Sequence, residues 1–209
     1  MLIVSGASIS AHAQPNEQKI IKVTRDIKYL SQKISNDYLY LYHTAKKESI
    51  KNELQKSIKK LEDDLRFIAK NTNNPDTKNV LDFLSYNKDQ MKETLEEDIS
   101  KESVLSMLDF SDTLLEGAQS ILGIKNQDLY EKKFHLMMIS KLYMAVHLDF
   151  DPINNKSELK KEIELFNNST ALNSSWLSFK NIVNNNQTCF IPNIVSILIK
   201  DLENDIGIQ

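Results

Sequence analysis

The sequence predicts an all-α protein made of two tandem four-helix bundles that repeat each other. Only four glycines and four prolines occur in 209 residues, so long helices with few tight turns are expected. Apolar residues recur every three to four positions, and no segment shows the strict alternation of a strand. The second half also matches the first at an offset of 105 residues.

Four amphipathic helices with short links are predicted in the first half, in an up-down-up-down bundle. Asn74 and Pro75 are typical of an N-cap followed by proline at the first helical position. A fourth helix begins near Ser100 and ends at Gly123, a residue suited to a C-terminal cap. The predicted ranges are about 17–45, 49–70, 75–97 and 100–122.

The second half carries four shorter helices and forms a second, shorter module. A turn containing Pro152 divides its first two helices, with Asn155 and Glu158 as a capping pair. The domain division is therefore a first module over 14–125 and a second over 126–209. The predicted helices span about 128–148, 157–169, 171–185 and 191–206.

The internal repeat aligns residues 28–58 with residues 133–163 without a gap. Nine of these 31 positions are identical, where unrelated sequences give about two. If each bundle has four antiparallel helices, the second module begins where the first module began. The first helices of the two modules are then expected to lie side by side and parallel. The identical pairs include Lys28 with Lys133, Ile34 with Ile139, Ser35 with Ser140 and Tyr38 with Tyr143.

Composition and charge limit the function classes. The chain is 41% apolar and 26% charged, which is typical of a globular protein, and its net charge of −3 disfavours general nucleic-acid binding. The single cysteine, Cys189, leaves no intramolecular disulfide. No stretch has the ~18 apolar residues that cross a bilayer. Residues 1–13 resemble the end of a signal peptide cleaved after Ala13, which predicts a periplasmic or secreted protein.

A polar stripe runs along one edge of the first helix. Arg25, Lys28, Gln32 and Ser35 are spaced 3, 4 and 3 apart, which places them on one helical face. An apolar stripe that includes Ile27 runs beside them. A helix that packs along one face therefore also presents basic and hydrogen-bonding side chains at its edge.

The segment "KYLSQKIS", residues 28–35, resembles the first helix of the PilJ-type sensor module, and "ISKLYMA" at 139–145 resembles it again. This module is the periplasmic four-helix domain of type IV pili chemotaxis transducers and of nitrate/nitrite sensor kinases. The resemblance implies two sensor modules. It implies that a small anion or small organic ligand is bound between their first helices. It also implies that binding is reported to a membrane-bound sensor kinase or chemoreceptor.

In the nitrate-sensing relatives an arginine of the first helix binds the anion where two first helices meet. That position is Lys28 here, and Lys133 in the second copy. A lysine is a point charge and lacks the planar fork of arginine, so a different anion, a small organic ligand, or no ligand are alternatives. The resemblance thus implies that Lys28 and Lys133 bind the ligand, and the polar stripe with its copy adds Arg25, Gln32, Ser31, Ser35 and Ser140 as ligand-binding residues. For Arg25 a surface salt bridge is an equal alternative.

No catalytic set is recognisable, so an enzyme is not predicted. His147, Asp149 and Asp151 alternate along one short segment, and an extended loop could gather them around a metal ion. His43 and His135 have no clear companions, however, and no metal or cofactor site is predicted. The alternative to a sensor is a helical interaction or structural protein. Such a protein has kept the bundle without a ligand. Arg25 and Tyr130 stand where the family has a glycine, which favours this alternative because only glycine lets backbones approach closely.

Overall fold

The computed structural model describes residues 15–44, 47–123, 129–169, 174–185 and 191–205, and eight helices lie within them. The all-α prediction is confirmed. The helices are α1 (Pro15–His43), α2 (Lys47–Asn71), α3 (Pro75–Glu96), α4 (Lys101–Leu122), α5 (Leu129–His147), α6 (Pro152–Ser169), α7 (Ser174–Asn184) and α8 (Ile191–Asp205).

Helices α1 to α4 form the first bundle. Helix α1 packs against α2 and α4, and α3 closes the ring by packing against the same two helices. Leucine and isoleucine side chains from α1 and α2 fill the core at the spacing the sequence predicts, and Leu84 of α3 and Leu114 of α4 are fully buried beside them. Met144, Ala145 and Phe150, which follow in the chain, also belong to this core.

The predicted N-cap of α3 is confirmed, and the structure adds a cap at the start of α4. Asn74 Oδ1 accepts hydrogen bonds from the backbone N–H groups of Asp76 and Thr77 at 2.8 and 3.2 Å, with Pro75 as the first helical residue. Ser100 and Ser103 cap the start of α4 reciprocally, since each hydroxyl accepts from the backbone N–H of the other residue. These bonds satisfy amide groups that the first turn of a helix leaves without partners.

Helices α5 to α8 form the second, shorter unit. Helix α5 packs against α6 and α8, and α7 packs against α8. Its core is more aromatic: the ring centroid of Trp176 lies 4.4 Å from that of Phe166 and 5.8 Å from that of Phe179. Trp176 Nε1 donates to Asn167 Oδ1 at 2.9 Å, which satisfies the one polar atom of this buried ring.

The repeat extends to the cores of the two units. Positions that the repeat makes equivalent are buried in both copies, including Ile34 with Ile139 and Tyr38 with Tyr143. Leu54 and Ile58 of α2 likewise correspond to Leu159 and Ile163 of α6, and all four are buried. The same positions therefore face inward in both units.

The predicted start of α6 was wrong. Helix α6 begins at Pro152 instead of near 157, so Asn155 lies inside the helix and does not cap it. Asp151 precedes Pro152 with a φ of 41° and accepts from Asn154 Nδ2 at 2.8 Å. The helix begins early because proline suits the first helical position, as it does at Pro75.

Two predictions fall outside the described residues: the signal-peptide segment at 1–13 and the division between modules at 125–126. Cys189 also lies outside them. In the described part of the chain, no helix has both the length and the apolar character needed to cross a membrane.

Gly123 ends α4 with φ 61° and ψ −171°, a conformation essentially limited to glycine. A methyl group there meets no described atom within 4 Å, so the cost of Gly123→Ala is confined to the backbone. We expect this variant to lower the free energy of unfolding by about 1–3 kcal/mol in urea titrations. Ser120→Ala, at an exposed position of the same helix, is the control, and an equal effect of both changes would contradict this account.

Asp64 of α2 is buried, and burial raises the pKa of its carboxyl above the ordinary value although Lys60 pairs with it. Its Oδ2 has no hydrogen-bond partner among the described residues. A raised folded-state pKa means that the native protein binds the proton more tightly than the unfolded chain. Protonation of Asp64 therefore stabilises the fold at low pH, and this contribution is lost as the pH rises through the folded-state pKa.

We expect Asp64→Asn to raise the free energy of unfolding at neutral pH, because it removes a charge that burial disfavours. The gain over the parent should shrink as the pH falls through the raised pKa of Asp64. Urea titrations across that pH range measure it. Asp63→Asn, in the same turn but exposed, is the matched control; a gain that does not change with pH, or that matches the control, would refute the explanation.

Candidate functional site

Helices α1 and α5 lie side by side and run parallel, as the repeat predicts. Three cross-helix contacts, in order along both helices, are Lys28 with Glu131, Asn36 with Ser140, and His43 with His147. The partners of the two hydrogen bonds are 103 and 104 residues apart, close to the repeat offset of 105. Positions related by the repeat therefore meet at one interface, which is the candidate site.

Lys28 crosses this interface. Its Nζ lies 2.5 Å from Glu131 Oε2 and 4.1 Å from the centroid of the Phe134 ring. Only 11% of the Lys28 side chain and 19% of the Glu131 side chain is exposed. The lysine therefore has both a counter-charge and an aromatic face, and each stabilises an ammonium group that water reaches poorly.

Glu131 was not predicted as part of the site, although the repeat carries a signal for it. It is equivalent to Asp26, so an acidic residue stands two positions before the lysine in both copies. Asp26 lies 3.7 Å from Lys60 of α2. The same acidic position thus contacts a lysine in each copy, but from a different helix.

Arg25 and Lys133 are each partly buried, on α1 and α5 respectively. Lys133 directly precedes Phe134, the ring beneath the Lys28 ammonium group. Two further lysines of these helices have carboxylate partners: Lys33 pairs with Asp37 one turn along α1, and Lys141 of α5 pairs with Asp112 of α4 at 2.6 Å. The Lys141 bond ties α5 to the first bundle at a second point.

The predicted serines and glutamine form a buried polar seam along α1 and α5. Ser31, Gln32, Ser35 and Ser140 are each 0–1% exposed. Ser31 Oγ donates to the Lys28 carbonyl at 2.8 Å and accepts from Gln32 Nε2 at 3.1 Å. Ser35 Oγ lies 3.2 Å from the Ser31 carbonyl and 3.1 Å from the Gln32 carbonyl. Most of the seam is therefore satisfied within α1.

One hydrogen bond of the seam joins the two helices. Ser140 Oγ donates to Asn36 Oδ1 at 2.8 Å, and both side chains are buried. Asn36 was not predicted, because its equivalent in the second copy is Lys141 and the repeat gives no match there. A buried hydrogen bond between two helices fixes their register, since sliding either helix leaves both groups without partners.

Gln32 Oε1 is fully buried and has no hydrogen-bond partner among the described residues. Leaving a buried acceptor unsatisfied costs about 1–3 kcal/mol. The other atom of the amide, Nε2, already donates to Ser31 Oγ, so rotating the amide would break that bond. The seam therefore retains one unsatisfied acceptor, which suits a small hydrogen-bond donor.

Within the described ranges, no three histidine, cysteine, aspartate or glutamate side chains come close enough together to hold a metal ion. Comparisons of the chain with protein-family models, with curated proteins and with solved structures find no match. The resemblance to the PilJ-type module therefore rests on residues 28–35 and 139–145.

A double-mutant cycle measures the pairing of Lys28 with Glu131. Lys28→Met and Glu131→Gln should each destabilise the fold, because each removes one partner of a partly buried pair. The double variant should lose less than the sum of the two, with a coupling free energy of about 1–2 kcal/mol in urea titrations.

The exposed pair of Lys59 and Asp63, 3.1 Å apart, provides the control cycle. Its coupling should be about 0.5 kcal/mol or less, because water screens the two charges. Equal coupling in both cycles would show that the interface gives Lys28 and Glu131 no special role.

Proposed function

We propose that this protein is a ligand-sensing module that binds a small anion or small organic ligand between α1 and α5. We further propose that it acts in the periplasm or outside the cell and reports binding to a membrane-bound sensor kinase or chemoreceptor. The observation that carries the proposal is the parallel pairing of these helices in the register of the repeat, along a buried polar seam.

The positive charge for an anion comes from Lys28, with Arg25 and Lys133 nearby on the two helices. Lys28 is already paired with Glu131. An anion therefore binds there only by displacing this carboxylate, which acts as an internal competitor. The hydrogen-bonding groups are those of Ser31, Gln32, Ser35 and Ser140, which donate to an anion only after leaving their present acceptors. A compact anion suits lysine better than a planar one because lysine makes no bidentate fork.

Binding is reported through a change in helix packing. When an anion takes the place of Glu131, the pair that holds the amino-terminal part of α5 to α1 is broken. The Asn36–Ser140 bond lies about two turns further along α1 and holds the register there. A ligand that favours one of two packings shifts the population toward it, and a membrane-bound partner reads the difference.

A second candidate function is that of a helical interaction or structural protein without a ligand. The Lys28–Glu131 pair favours it, because the pair neutralises the ammonium group that an anion requires. In that case the interface serves only to join the two units. The two candidates differ in their response to added anions.

A thermal-shift screen of the whole chain against nitrate, nitrite and small carboxylates tests the sensor. A ligand at 100 times its dissociation constant adds about 2.7 kcal/mol of stability. Glu131→Gln removes the internal competitor, so it should increase the shift that the anion produces, whereas Lys28→Ala and Lys133→Ala should remove it. Glu116→Gln, on the exposed side of α4, is the matched control.

An anion-dependent shift that grows in Glu131→Gln, stays unchanged in Glu116→Gln and vanishes in the lysine variants is the expected result. If no anion shifts the parent or Glu131→Gln, the sensor proposal fails and the interaction protein remains. A shift that persists in both lysine variants would place the ligand away from α1 and α5.

A further inference from the structure

A cavity of about 460 Å³ opens between α5, α6 and α7 of the second unit. Its floor is apolar. Tyr143, Leu159, Ile163 and Val183 line it and are buried, and Val146 beside them is partly buried. This volume is within the range of small-molecule sites, and the apolar floor is typical of them.

The rim of the same cavity is basic. Lys156, Lys160 and Lys180 line it together with a single acid, Glu164. In the described part of the chain, none of these three lysines forms an ion pair, although Glu164 lies one turn from Lys160. Lys161, the next residue of α6, does pair, with Glu158 at 2.6 Å. Positive charge therefore collects at the cavity, while the whole chain carries a net charge of −3.

The aromatic rings of Phe166, Trp176 and Phe179 hold α6 and α7 together at one end of the cavity. Asn167 lines the cavity and accepts the Trp176 indole N–H at 2.9 Å, and the Trp176 ring packs on Phe166. The two helices are therefore fixed to each other there by a hydrogen bond and a ring contact. The shape of the cavity depends on buried groups of the core and not on the exposed lysines alone.

We propose that this cavity binds a small amphipathic monocarboxylate. The apolar body of the ligand packs on Leu159, Ile163 and Val183, and its carboxylate lies at the rim among the lysines. A neutral apolar ligand leaves the rim with an excess of positive charge, since three lysines face a single acid, and a small anion without an apolar body leaves the floor in contact with water. The proposal does not rest on the function proposed for the α1–α5 interface, although the Tyr143 ring stacks on His147, which contacts His43 across that interface.

Isothermal titration calorimetry with octanoate tests the proposal. Acetate, which lacks the apolar body, and 1-octanol, which lacks the charge, are the comparison ligands. We expect octanoate to bind at least about tenfold more tightly than either, because only octanoate satisfies both floor and rim. Its affinity should fall as salt is added, since exposed lysines are screened.

Three exposed substitutions complete the test, each checked for an unchanged melting temperature without ligand. Lys160→Glu should weaken octanoate binding about tenfold or more, and Glu164→Gln should strengthen it, because each changes the charge of the rim. Lys161→Glu is the matched control, since this lysine lies on the same helix but does not line the cavity. It should leave the affinity within about twofold of the parent.

The proposal is overturned if octanoate does not bind at millimolar concentration, or if 1-octanol binds as tightly. It is also overturned if Lys160→Glu and Lys161→Glu weaken binding equally, because the effect then follows net charge and not the rim.

Discussion

The burial of α1 on several sides is the constraint on which the rest of the structure depends. This helix packs against α2 and α4 in its own bundle and against α5 of the other unit. From Leu30 to Leu39 every side chain is buried except that of Lys33, which is partly exposed. A helix buried on several sides cannot point its polar groups at water, so each needs a partner inside the protein.

This constraint explains the polar stripe along α1. Ser31 and Ser35 bond to carbonyl groups of their own helix, and Asn36 accepts a bond from Ser140. Lys28 finds a carboxylate on α5. The sequence suggests that this polar stripe is the solvent-facing edge of an amphipathic helix. In the structure it is the side of α1 on which the second unit packs. Gln32 is the exception, because its Oε1 stays without a partner in the described residues.

Most of the helices, the Asn74 cap and the parallel pairing could be predicted because each depends on local sequence or on the repeat. Asn74 and Gly123 act within a few residues of their own positions. The partner of Lys28 could not be predicted in this way, since it depends on the rotation of α5 about its axis. The repeat nevertheless gave one indication of it, since Glu131 and its equivalent Asp26 are both acidic and both stand two positions before the lysine. The cavity of the second unit was not predicted because its lysines come from two helices. The distance between two helices depends on their packing and cannot be derived from the sequence of either helix alone.

The parallel pair of α1 and α5 is formed within a single polypeptide. Two separate chains that paired in this way would come apart on dilution, and their association would depend on how much of each was made. A covalent connection makes the pairing intramolecular, so its equilibrium does not depend on protein concentration. The two partners are also free to differ, as Asn36 and its counterpart Lys141 do. Asn36 accepts the hydrogen bond that joins α1 to α5, whereas Lys141 joins α5 to α4 through Asp112.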